Sequence, residues 1–95
     1  MEMFNPPHPG KILYEEYMKP INLKIAELAL MIGVSRKMMS EIVNGRAKIH
    51  PELAVKIAKA LNTSAKLWAG MQLDYDLWQA KQRVNLDNIQ AVANR

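Results

Sequence analysis

A single glycine, Gly33, separates two short apolar-periodic stretches, and this arrangement narrows the folds open to the chain more than any other feature. Before it, Ile25, Leu28, Ala29 and Ile32 fall at helical spacing and predict one buried stripe. After it, Met39, Ile42 and Val43 do the same. Gly33 suits the left-handed residue that closes a helix, and Ser35 suits the N-cap that opens the next. The spacing predicts helices over residues 25–32 and 36–44. Two helices joined by so short a turn cross steeply, and the small Ala29 stands where they approach most closely.

The rest of the chain reads as helices on short connections. Pro9 fits the first turn of a helix that carries Ile12, Leu13, Tyr17 and Met18 on one face, and Pro20 is expected to end it. Residues 20–24 are a connection. His50-Pro51-Glu52 opens a fourth helix with a core stripe of Leu53, Ile57, Ala60 and Leu61, closed by Asn62. Thr63-Ser64 caps a fifth over residues 65–82, and residues 86–93 are read as a short sixth. His8 and His50 each precede a proline at a helix start, so both are expected to cap. No strand alternation and no internal repeat is found, so the predicted class is an all-α domain of five to six helices. An N-terminal arm over 1–8, a domain over 9–82 and a tail or short helix over 83–95 are the expected divisions.

Ninety-five residues give one modest core. There is no cysteine, the histidines are two and apart, and no metal or cofactor site is expected. No stretch approaches the roughly 18 apolar residues of a membrane helix, and the N-terminus lacks the pattern of a signal peptide. The expectation is a cytoplasmic protein with no membrane partner. Catalysis finds no support: both histidines have structural positions, Glu15 and Glu16 point in different directions, and no phosphate-binding glycine loop appears.

Charge is more telling. Between residues 24 and 66 stand eight Lys or Arg against three Glu, while the flanking segments are close to neutral. A polyanionic partner is favoured. If Met39, Ile42 and Val43 are buried, the third helix turns outward Arg36, Lys37, Ser40, Glu41 and Asn44. Arg36 and Lys37 lie in its first turn, where the residues of a reading helix meet base edges. Arg can grip guanine bidentately, and Glu can accept from cytosine or orient Lys37 through an i,i+4 pair. Arg36, Lys37, Ser40 and Glu41 are therefore the base-facing candidates. Lys24, Ser35, Asn44, Arg46 and Lys48 are the candidates for the DNA backbone.

The stretch resembles the helix-turn-helix of the phage-repressor (Cro and cI, or XRE) superfamily. The wider chain is similar to the HigA or VapI-type antitoxins. The residues carrying the likeness are His8-Pro9-Gly10 with Leu13 and Glu16, Ala26 to Ala29, Gly33 to Arg36, Glu41 to Gly45, Ile49, Ala54, Ala58 to Leu61, Thr63-Ser64, Trp68 and Tyr75 to Trp78. It departs at Lys24-Ile25, where a polar cap and often Gln are usual, and at the apolar Met38-Met39. The resemblance implies a lambda-repressor-like fold and a homodimer that binds operator DNA, represses its own operon and neutralises a RelE-like toxin. Trp68 is expected in the core, and Met71, Tyr75 and Trp78 are candidates for the dimer interface. A repressor without a toxin and a protein-interaction module without DNA affinity are the alternatives.

Overall fold

A computed structural model describes residues 5–93, which form helices and connections with no strand among them. The first helix starts as an α turn, Pro9–Ile12 (α1), continues with π geometry over Leu13–Met18 and closes as a 3-10 turn over Lys19–Ile21. Then follow α2 (Ile25–Ile32), α3 (Arg36–Val43), α4 (Pro51–Leu61) and α5 (Ala65–Arg83).

The wide segment of the first helix has a packing reason. Leu13 and Met18 are five residues apart and both fully buried. In an α-helix that separation turns the two well apart, whereas i→i+5 winding brings them toward one face. Pro20 does not end the helix as expected. It sits in the 3-10 turn, where its missing N–H is not needed, and Asn22 ends the run in the left-handed region at φ 55°.

The turn between α2 and α3 follows from its residues. Gly33 adopts φ 72°, and the Ala29 carbonyl accepts hydrogen bonds from both Gly33 and Val34. The Ser35 hydroxyl accepts from the Met38 N–H at 3.0 Å. Leu28, Ala29, Ile32, Met39, Ile42 and Val43 are buried together, while Met38 is exposed and Met39 is not. In α4 the buried residues are Leu53, Ala54, Ile57 and Ala58; Ala54 and Ala58 join the expected stripe, while Ala60 and Leu61 are half-buried against the core. Trp68 is fully buried, its indole N–H donates to Thr63 Oγ1 at 2.7 Å, and Tyr17 meets its ring edge to face at 5.0 Å.

Both histidines cap. His8 Nδ1 accepts from the Gly10 N–H at 2.9 Å, and His50 Nδ1 accepts from the Leu53 N–H at 3.4 Å. The sixth helix is absent: residues 84–93 hold a turn at 87–88 and no helix. Leu86, Ile89 and Val92 have helical spacing, but all three are exposed, and a short helix without a surface to pack on is not stable. The last two residues of the expected tail, and residues 1–4 of the expected arm, lie outside the described residues.

Candidate nucleic-acid interface

The exposed side of α3 is built by what its other side buries. Arg36 and Lys37 are exposed in the first turn, which contains no carboxylate. A cation there meets the positive end of the helix dipole, at a cost of some tenths of a kcal/mol, roughly. Neither side chain forms an ion pair among the described residues. Ser40 is half-buried, and its hydroxyl and carbonyl both accept from the Asn44 amide, at 3.3 and 2.8 Å.

Glu41 departs from one of its two expected roles, that of orienting Lys37. Its carboxylate faces Arg46 at 3.6 Å. The reason is the path of the chain: after Gly45, at φ 77°, the backbone folds back so that the Arg46 and Ala47 N–H groups reach the Glu41 carbonyl, at 2.8 and 3.3 Å. Arg46 is thereby carried beside the glutamate while remaining largely exposed.

At the start of α3, a cleft of about 490 Å³ brings Lys24 and Arg36 together with Tyr14, Lys19 and Asn22. Lys24 occupies the N-cap of α2. An ammonium cannot accept a hydrogen bond, so only the return half of a capping box forms, with Glu27 Oε1 accepting from the Lys24 N–H at 2.8 Å. At the other end of α3, a cleft of about 410 Å³ brings Lys11 and Tyr14 beside Asn44. Lys11 and Lys19 were not candidates from sequence. They lie far from the helix-turn-helix in the chain, and the folding of the first helix across α3 carries them there.

The loop over residues 44–50 is held from below. The Ile49 N–H donates to Gln72 Oε1 at 2.8 Å. Gln72 Nε2 donates to Asp76 Oδ1 at 3.0 Å, and Asp76 Oδ2 faces Lys48 Nζ at 3.3 Å. His8 closes the other side, hydrogen-bonded to the Ala47 backbone and edge to face with Tyr75 at 4.9 Å. Burial holds the His8 pKa below its ordinary 6.5, opposed by the nearby Asp76 carboxylate and the Ala47 hydrogen bond and reinforced by Lys11. A neutral ring that accepts at Nδ1 carries its proton on Nε2. Gln72 was not a candidate, although a sign existed. It lies four residues after Trp68 and so on the same buried stripe, where a polar side chain needs a partner.

Of the three α5 residues expected at a dimer interface, Met71 walls a small apolar pocket with Pro6, Pro7 and Ile12, and Tyr75 packs on His8. Both thus have contacts within the chain. Trp78 is half-buried, and the exposed apolar residues of this helix are Leu73 and Leu77.

Two helices crossing at a glycine turn, with an exposed cationic first turn on the second, define a helix-turn-helix of the DNA-binding class. Comparison with known proteins agrees. The family model described as helix-turn-helix matches residues 15–68, and the chain belongs to that family, whose members of this XRE type are DNA-binding regulators and not enzymes. It is 39% identical over 85 residues to an uncharacterized HTH-type transcriptional regulator of Haemophilus influenzae, covering 90% of this chain and 78% of the relative. It is 44% identical over 77 residues to virulence-associated protein A of Dichelobacter nodosus, covering 80% and 76%. Among solved structures it superposes on a Pseudomonas aeruginosa protein in complex with its operator DNA at a TM-score of 0.87 and 27% identity, covering 95% and 100%. The Pseudomonas aeruginosa antitoxin HigA, solved with its promoter, matches at a TM-score of 0.79 and 31% identity, covering 81% and 84%.

Proposed function

We propose that this chain is a sequence-specific DNA-binding antitoxin that acts in the cytoplasm, represses its own operon and neutralises a RelE-like ribonuclease toxin. The observation that carries the DNA part is the exposed, unpaired Arg36–Lys37 turn at the head of a helix whose opposite side is fully packed. Arg36, Lys37, Ser40 and Glu41 meet base edges, and Lys24, Ser35, Asn44, Arg46 and Lys48 hold phosphates on either side. Support comes from the clustering of Lys24 and Arg36 in one cleft, and from the operator complexes of the structural neighbours.

The protein binds as a homodimer through α5, with Met71, Tyr75 and Trp78 as interface candidates, so that two reading helices meet two half-sites. The toxin role rests on the likeness to HigA-type antitoxins. An electrophoretic shift with the duplex upstream of the chain's own gene, repeated across salt concentrations, tests the DNA reading. Specific retardation that weakens steeply with salt is expected, and absence of any shift would falsify it. The toxin reading is tested by co-expression with the product of the adjacent reading frame: growth arrest relieved by this chain supports it. A neighbour that neither arrests growth nor co-purifies leaves the repressor without a toxin as the better reading.

A further inference from the structure

The loop over residues 44–50 carries two of the backbone-holding cations, Arg46 and Lys48, yet belongs to no helix. A loop that must present a cation at a fixed place needs its backbone pinned. Here the pin comes from α5. Gln72 is one of two buried polar side chains among the described residues, the other being His8, and both close on this loop.

We propose that Gln72 and Asp76 are positioning residues for DNA binding: they fix the Ile49 backbone and the Lys48 side chain so that Lys48 is already set toward a phosphate. The proposal rests on the DNA reading above. Gln72 and Asp76 are one helical turn apart and hold two consecutive loop residues, Lys48 through its ammonium and Ile49 through its N–H. Each end of the Gln72 amide is satisfied, the carbonyl by Ile49 and the NH₂ by Asp76. A leucine at this stripe position would leave the buried Ile49 N–H without an acceptor, so Gln72 serves the loop backbone and not only the α5 stripe. Lys48 is largely solvent-exposed although Asp76 is half-buried, and a pair with one end in water adds little to stability. What the arrangement does supply is order before binding. A side chain and loop already held lose less conformational freedom on meeting the duplex.

The test is a double-mutant cycle of Gln72→Met and Lys48→Ala, read as binding to the upstream duplex and to a random-sequence duplex across salt concentrations. Methionine keeps length and burial while removing the acceptor for Ile49. A positioning role predicts that Gln72→Met, still folded by circular dichroism, loses the Lys48 contact: the salt slope falls by about 0.9, as it does for Lys48→Ala. The double variant is then no weaker than Lys48→Ala alone. Additive losses would make Gln72 structural only and overturn the proposal. Binding of neither duplex by the unmodified protein overturns the DNA reading itself, a different failure. A second measurement needs no variant. Amide hydrogen exchange of Ile49 in the free protein is expected to be as slow as that of core helix amides, although the residue lies in a loop. Exchange at the rate of an open loop removes the pin.

Discussion

The Cα of Gly10 lies so close to the Ile42 carbonyl that a methyl group built on it overlaps that oxygen. The start of the first helix therefore touches the backbone of α3 directly, with no side chain between them. Gly10→Ala cannot be relieved by a rotamer change and is expected to cost about 3 kcal/mol or more, since one helix must move off the other. Gly33 presents the opposite case: a Cβ there meets nothing, but φ is 72°. Gly33→Ala is expected to cost about 1–2 kcal/mol from conformation alone. Urea denaturation of the two variants checks the order, and equal losses would contradict it.

His8 makes stability depend on pH. Burial holds its folded pKa below 6.5, so the native state favours the neutral ring, and the unfolded chain takes up the proton first. The contribution is complete above about 6.5, the unfolded value, and declines as pH falls toward the lower folded value. Protonation also places a hydrogen on Nδ1, which now accepts from Gly10, beside Lys11, Asp76 and Tyr75. Unfolding free energies measured from pH 8 to 5 are expected to fall more for the unmodified protein than for His8→Gln. Parallel curves would show that the ring does not couple to folding.

Arg36→Ala and Lys37→Ala are expected to weaken operator binding with changes in unfolding free energy within about 0.5 kcal/mol, because neither side chain is packed. The two should differ in kind. Loss of a bidentate guanine contact at Arg36 removes about 1–3 kcal/mol of discrimination between sites. Competition of operator against random duplex measures it, and undiminished preference in both variants takes them off the reading face.

Glu41→Gln releases Arg46 from its carboxylate partner and removes a negative charge from the α3 surface. Affinity for random-sequence duplex is expected to rise, with stability changed by about 0–1 kcal/mol, the range of an exposed pair. Fluorescence anisotropy at two salt concentrations reads this. A fall in random-duplex affinity would mean that Arg46 needs its glutamate to be placed.

The parts of this fold that sequence made legible are those whose signals are local. Gly33 and Ser35 punctuate α2 and α3 within three residues, and His8 and His50 cap helices that begin one residue later. The misreadings come from partners distant in the chain or absent. Leu86, Ile89 and Val92 have the period of a helix but nothing to bury against. Glu41 finds Arg46 rather than Lys37 because Gly45 turns the backbone, an event the i,i+4 rule does not see. Gln72 meets Ile49 from 23 residues away, and Lys11 and Lys19 reach the two ends of α3 only through the crossing of the first helix.

The edge-to-face contact of His8 with Tyr75 joins the two ends of the described domain. Most of the helices have partners near them in sequence and can form as the chain leaves the ribosome, N-terminal first. The wall behind the loop over residues 44–50 cannot, because Gln72, Tyr75 and Asp76 are made after everything they support. A nascent chain stopped at the end of α4 lacks both the seat of that loop and Trp68 of the core. With the loop role proposed above, competence to grip the duplex arrives late in synthesis, once the chain has reached its fifth helix.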